Sequence, residues 1–436
     1  MTGTKEKIVR NLIWAVIGKI VTLFGSFFVG IIVARYLGPE QYGLMNYVVS
    51  YVALFQILAI FGLDSIEIRE ESKHEQRFTT IIGTAFCLKV VFAIITMVLV
   101  IVTSFIQEAD SYVTLMVCLY SLSMIANSFS VIKNYFTAIL QNEYIVKSEI
   151  ARTVISITFK IALLLLHASL GWFILATTLD TFILAGGYIT SYKNKIGSIK
   201  QWKFDIDEAK HLLHESYPLM FTSAAVMIYQ RIDQVMIGQM IDKESVGFFS
   251  VASRFVDFLI YIPFILADTI TPVLVKIREE SENRYIERAQ RFMNVTFWLS
   301  VIAACITSAV SYWLVLYLFS EAYIPSVPIL QILAFKAAAV ALSTTAGKLI
   351  IIEGKQKYAI FRDCFGCLVC VTLNLYFLPI YGTIAAAIIA IISNIAAGYI
   401  SDLFIPPYRK IFMMQTKTFF TGWIDLVHIK QIVSKQ

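Results

Sequence analysis

The chain is dominated by apolar runs of about 20 residues, the length at which a helix crosses the hydrocarbon core of a bilayer. Twelve such runs occur, at roughly 12–34, 42–63, 79–106, 111–138, 153–168, 171–192, 217–240, 246–274, 292–319, 328–352, 364–379 and 382–405. The fifth and eleventh are short, and each turns tightly into the next, around Gly171 and around Pro379-Ile-Tyr-Gly382. Tight turns leave little unpaired backbone at the membrane surface. Composition agrees: 58% of the 436 residues are hydrophobic and only 15% charged, against about 25% in an ordinary soluble domain. A soluble chain of this length could not cover its surface with so little charge. A soluble enzyme, a disordered scaffold and a nucleic-acid binder are excluded on that ground. The first run lacks a small-residue cleavage site before the second, so it reads as a retained membrane helix.

A net charge of +6 matters less than where the charges sit. With twelve spans, both termini share one side of the membrane. The tails and loops of that side hold 26 of the 36 Lys and Arg residues, and the opposite side holds only Arg35 and Lys243. By the positive-inside rule both termini are cytoplasmic. An odd number of spans would destroy the alternation.

Sliding the chain against itself by 204 residues places Glu40 and Gly43 on Glu244 and Gly247, and Asp64-Ser65-Ile66 on Asp268-Thr269-Ile270. The expected fold is therefore an all-α polytopic membrane protein of about twelve transmembrane helices. These form two six-helix bundles, 1–204 and 205–408, as a parallel pseudo-repeat about an axis along the membrane normal. A tail, 409–436, follows Pro406-Pro407 and spaces Phe420, Trp423, Ile424 and Val427 at helical intervals, which suggests a short cytoplasmic or interfacial helix. Two bundles imply a cavity between them for a transported solute.

Charges inside the spans are expensive, about 2.5–3.5 kcal/mol each near the bilayer centre. Lys133, Lys348 and Asp268 lie near cytoplasmic ends and can snorkel to water. That leaves Lys19, Lys89, Lys160, Arg231, Arg254 and Lys336 set against Asp180, Asp233 and Asp257. Such residues normally face a bundle interior or an aqueous cavity, and the positive surplus suits an anionic solute. Arg254 and Asp257 are three apart on one helix and Arg231 is near Asp233, so local pairing is an open alternative for the arginines. Lys19, Lys89 and Lys160 have no acid on their own spans and are read as anion contacts. The alternative is a lysine reaching an acid on another helix. A desolvated carboxylate can also exchange protons as access alternates. Asp180 is the best placed for this, with Asp233 and Asp257 as further ion-coupling candidates.

Other motifs carry less. Cys364, Cys367 and Cys370 recur every three residues on an apolar helix without an evident fourth zinc ligand, which favours packing. His211 and His214, with Glu208 and Glu215, read as a solvated helix face. Gly347-Lys348 lacks the glycine-rich loop of a nucleotide site. The acids of the short outer loops are Glu40, Glu108, Asp110, Asp242, Glu244 and Glu321, too few and too poorly supported for a membrane glycosyltransferase. The expectation is no enzyme, no cofactor and no metal.

Ala34-Arg-Tyr-Leu-Gly38-Pro39-Glu40-Gln-Tyr-Gly43, following a cation-bearing first span, resembles the opening of bacterial polysaccharide-repeat-unit flippases. These are the polysaccharide-transporter branch of the multidrug/oligosaccharidyl-lipid/polysaccharide exporter superfamily. Arg231-Ile-Asp233-Gln234-Val-Met-Ile-Gly238, Val246-Gly247-Phe-Phe-Ser250-Val-Ala252-Ser253-Arg254 and Pro379-Ile-Tyr-Gly382-Thr-Ile-Ala385-Ala386-Ala387 are similar to that family's spans 7, 8 and 12. The resemblance extends over essentially the whole chain. It implies two bundles around a cationic cavity in the bacterial inner (cytoplasmic) membrane, and movement of undecaprenyl-diphosphate-linked oligosaccharide such as an O-antigen or capsule repeat unit. It further implies alternating access driven by a proton or sodium gradient, contact with membrane lipid, and glycan polymerase or assembly proteins as candidate partners. A diphosphate needs positive partners, and lysine serves as a point charge. Tyr120, Asn127, Tyr135, Tyr229, Gln230 and Asn374 could meet a sugar, although single polar groups in spans more often bond between helices. The alternatives are a multidrug exporter of the same superfamily and a non-transporting membrane subunit of a glycan-assembly complex.

Overall fold

The computed structural model describes the backbone of residues 2–107 and 110–427, and all their side chains except those of 2–13, 15–17, 19–20, 75 and 426–427. Among the described residues the ordered structure is all helical. In chain order the helices are α1 (Thr2–Ile60), α2 (Leu63–Lys73), α3 (Phe78–Gln107), α4 (Ser111–Ser121), α5 (Ser123–Asn127), α6 (Ser130–Ala138), α7 (Asn142–Leu165), α8 (Leu170–Lys195) and α9 (Ile206–Met240). They continue as α10 (Lys243–Glu280), α11 (Glu282–Leu318), α12 (Ser326–Leu333), α13 (Lys336–Ile352), α14 (Ala359–Ile395), α15 (Ser401–Phe404), α16 (Arg409–Thr421) and α17 (Trp423–Val427).

Eight helical segments among the described residues are long and apolar enough to cross a membrane. Two of them, Val21–Lys73 and Gln356–Phe404, each contain a break at a glycine, Gly38 (φ 72°) and Gly382 (φ 63°). Each therefore holds two apolar runs. A positive φ is cheap only for glycine, and Pro39 follows Gly38 in the first turn of the next segment, where no N–H donor is needed. Gly43 lies inside that helix. With α7 and α9, which begin in charged sequence, the chain has the arrangement of about twelve helices that its apolar runs foretell.

The chain divides into two compact units, Met1–Met227 and Ile228–Gln436. The division falls within α9, whereas the sequence repeat places its boundary just before that helix. The first unit is built around Leu63, Ile82, Val131, Phe136 and Tyr192. The second is built around Tyr285, Phe292, Leu349, Tyr408 and Ile411. Large apolar residues also point outward, Ile95, Phe105 and Ile106 on α3 among them. A helix apolar on its outer face as well as its inner one suits a lipid surround.

Two segments differ from their sequence reading. Residues 64–78, which lie between the second and third apolar runs and would read as a connecting loop, are mostly the helix α2, separated from α1 by positive φ at Phe61 and Gly62. On α2, Glu67, Glu70 and Glu71 are buried. The tail is docked onto the second unit through α16: Ile411 and Met414 join its core. Gln290 Nε2 donates to the Met414 carbonyl and to Thr418 Oγ1, each at 3.0 Å. Phe420, Trp423 and Ile424 remain exposed beyond it.

Candidate functional site

In the first unit the burial of α2 brings acids to a lysine. Lys89 Nζ, from α3, lies 2.6 Å from Asp64 Oδ1, 2.7 Å from Glu67 Oε1 and 3.2 Å from Ser130 Oγ. Asn134 Nδ2, from α6, donates to Asp64 Oδ1 at 2.9 Å and to Glu67 Oε2 at 2.6 Å. Lys89 and Glu67 are sealed from solvent. Charge is tolerated there because close partners offset its desolvation. Lys160 makes a second pair in the same unit: its Nζ is 2.6 Å from Asp180 Oδ2, which also accepts from Ser156 Oγ at 2.9 Å. Both lysines thus reach an acid on another helix. The side chain of Lys19 lies outside the described residues, as does Glu108.

In the second unit Asp233 is buried, accepts from Asn374 Nδ2 at 2.9 Å and meets Cys370 Sγ at 3.6 Å. Lys336, half-buried at the start of α13, is within electrostatic reach of Asp233. Arg231 is exposed, and among the described residues no carboxylate lies within ion-pair distance of Arg231 or Lys336. On α10, Arg254 is half-buried and Asp257 exposed. Lys348 pairs with Asp268 at 2.9 Å. Of the polar residues considered for a sugar, Asn374 is engaged by Asp233, while Asn127 Nδ2 lies 3.4 Å from Gln56 Oε1.

The sequence reading missed acids in both units. Asp64, Glu67, Glu70 and Glu71 were hidden in a segment read as a loop, although Asp64, Glu67 and Glu71 have the i, i+3, i+7 spacing of one helix face. Asp402, inside the last span, is fully buried opposite Arg362. Arg362 Nε lies 3.1 Å from both Asp402 Oδ1 and the Ala397 carbonyl, and Nη2 donates to the Gly398 carbonyl at 3.3 Å. Those carbonyls belong to a π-helical turn, Ala396–Ile400, a widened turn whose carbonyls are open to outside donors. Gln415 Nε2 from α16 reaches the Gly398 carbonyl at 2.6 Å. These acids erase much of the positive surplus that the spans suggested.

At the polar end of the first unit, Arg69 Nη2 lies 2.9 Å from Glu215 Oε2, and Arg77 Nη2 2.9 Å from Glu208 Oε2. The face of α9 read as solvated is therefore partly tied to α2 and the turn after it. The Arg69 guanidinium holds the Glu215 carboxyl below its usual range. His74 and His211 flank Glu70 at 3.7 and 3.9 Å. Two outer-loop acids are helix caps: Asp110 accepts from the Tyr112 N–H at 2.8 Å and Asp242 from the Ser245 N–H at 2.6 Å. Capping accounts for both. The six cysteines are free thiols. Among the described residues, Lys89, Lys160 and Arg362 thus form cation–carboxylate pairs within the membrane helices, whereas Arg231 and Lys336 have no carboxylate at ion-pair distance.

Residues 8–278 match the sequence model of a family described as polysaccharide biosynthesis protein. Among solved structures, the lipid II flippase MurJ in an inward closed conformation superposes with a TM-score of 0.70 at 13% identity, over 95% of this chain and 92% of that one. An inward-facing multidrug resistance MATE family transporter of the MOP superfamily gives 0.67 at 16% identity, over 91% and 96%. A MOP superfamily transporter from Pyrococcus furiosus gives 0.60 at 16% identity, over 98% and 96%. At these identities the likeness is one of fold. No curated relative matches the sequence.

Proposed function

Since the chain belongs to the polysaccharide biosynthesis protein family, we propose that it is a flippase for lipid-diphosphate-linked oligosaccharide. Its cargo is an undecaprenyl-diphosphate-linked repeat unit, carried from the cytoplasmic to the outer leaflet of the bacterial inner membrane by ion-coupled alternating access. The lipid tail stays in the bilayer while the charged head crosses. The observation that carries this reading is the state of Arg231 and Lys336. They are cations on membrane helices with no carboxylate at ion-pair distance among the described residues, in a chain of this family and fold. Unpaired intramembrane cations are costly unless a ligand or water offsets them, and a diphosphate supplies the charge they lack. Lys89 and Lys160 take part by releasing Asp64, Glu67 and Asp180 when cargo arrives. Arg254 and Lys19 complete the cationic set, and Asp180, Asp233 and Asp257 are the coupling acids.

Deleting the gene and following lipid-linked repeat units tests this. Expected is their accumulation on the cytoplasmic face, reversed by the wild type. Arg231→Ala with Lys336→Ala should fail to reverse it although the protein reaches the membrane. Full rescue by that double variant would overturn the cation assignment.

A second reading, a multidrug exporter, is favoured by the buried acids Glu67 and Glu71 of the first unit, since cationic drugs need negative partners. Normal lipid-linked intermediates with loss of drug resistance in the deletion strain would select it.

A further inference from the structure

The carboxylates of α2 are not equally provided for. Glu71 stands one turn beyond Glu67, with a relative exposure of 1%. Among the described residues, no donor reaches either of its carboxylate oxygens. The charged groups that face it are Glu67 on its own helix and Lys89 on α3. From α8 it is faced by Tyr192, whose hydroxyl takes a hydrogen bond from Trp202 Nε1 at 3.1 Å. Lys89 is already engaged by Asp64 and Glu67. The α6 helix brings Asn134, whose amide is bound to those same two acids, and Lys133 on the Asp64 side. The remaining acid of α2, Glu70, is held by Arg69 at 2.8 Å and flanked by His74 and by His211 of α9.

An ionised Glu71 would place a second buried negative charge beside Glu67, with one ammonium group to share. A buried carboxylate without donors avoids that cost by binding a proton. The neutral acid needs no counter-ion and leaves the Lys89 network intact. No three acidic, histidine or cysteine side chains come together among the described residues, and a proton needs only a single oxygen.

We infer that Glu71 is a proton-binding site of the first unit, occupied in this conformation and emptied when water reaches the carboxyl. On emptying, the proton leaves to water and Lys89 becomes the partner of the new carboxylate, loosening its hold on Glu67. Glu71 is thereby a further acid, besides Asp180, Asp233 and Asp257, through which a proton gradient drives cargo movement. The coupling rests on the transport reading above, while the protonation itself does not.

Two measurements on the full chain separate these claims. Infrared spectra of the purified protein at neutral pH should contain a protonated-carboxyl band that titrates away in alkaline buffer. One carboxyl's share of it should be lost in Glu71→Gln, a variant that mimics the neutral acid and should fold, and kept in Asp180→Asn. An unchanged band in Glu71→Gln would overturn the proton site. In proteoliposomes carrying a fluorescent polyprenyl-diphosphate disaccharide, a pH gradient should speed flipping several-fold for the wild type and not for Glu71→Gln. Equal stimulation of both, or drive by sodium alone, would overturn the coupling. A wild type that moves no lipid under any gradient would overturn the flippase reading and leave the infrared result standing.

Discussion

Lys89 Nζ and Glu67 Oε1 lie 2.7 Å apart, and both side chains are almost wholly removed from solvent. Removing one partner of such a pair strands the other, at a cost of about 3–5 kcal/mol. Lys89→Met should therefore lower the melting temperature of the detergent-solubilised protein strongly. Adding Glu67→Gln should recover much of the loss, because the sealed charge is then gone and Asp64, the lysine's other partner, is exposed enough to stay hydrated. A single variant that melts with the wild type would show that the pair is dispensable to the fold.

How far the sequence reveals this arrangement depends on the range of the interaction. The breaks at Gly38 and Gly382 are legible because a positive φ selects glycine locally, and the spans are legible because lipid imposes their length. The acids of α2 are not, because a solvated loop and a helix with a buried acidic face have the same composition. Only the spacing of Asp64, Glu67 and Glu71 separates the two. The Lys160–Asp180 and Arg362–Asp402 pairs join different helices, and no local pattern announces them. The surplus of cations therefore looked larger in the sequence than it is in the fold.

Two glycines should respond differently to alanine. At Gly38 (φ 72°, ψ 172°) an added Cβ meets nothing within 4 Å, so Gly38→Ala bears only the strain of a backbone region nearly reserved for glycine, about 1–3 kcal/mol. At Gly83 the Cβ would lie 2.5 Å from the Lys203 carbonyl oxygen and 2.6 Å from its nitrogen. Backbone cannot swing aside as a side chain can, so Gly83→Ala should be the more destabilising of the two. Melting curves of the two variants check the order, and the reverse order would contradict the close packing of α3 on that strand of backbone.

The charge partition predicts a topology. A fluorescent reporter joined to the C-terminus should mature in the cytoplasm. In a cysteine-free background, Glu244→Cys should react with an impermeant thiol reagent applied to intact cells, and Lys357→Cys should not. Labelling at both positions, or at Lys357→Cys alone, would refute the orientation with cytoplasmic termini.

Arg362 and Asp402 make the last case, because their contributions are unequal. Arg362 lies at ion-pair distance from Asp402 and donates to the carbonyls of Ala397 and Gly398, whereas neither Asp402 oxygen takes a hydrogen bond. Arg362→Met removes all three contacts and leaves a buried carboxylate, so a loss of about 3–5 kcal/mol is expected. Arg362→Lys keeps the charge but not the planar fork that spans two carbonyls, and should cost about 1.5–3 kcal/mol through a lost charge-assisted bond. Asp402→Asn leaves the arginine bound to the π-helical turn and should be the mildest. Thermal stability should thus fall in the order Asp402→Asn, Arg362→Lys, Arg362→Met. If Asp402→Asn proved the most damaging, the ion pair rather than the two carbonyl bonds would hold that turn in place.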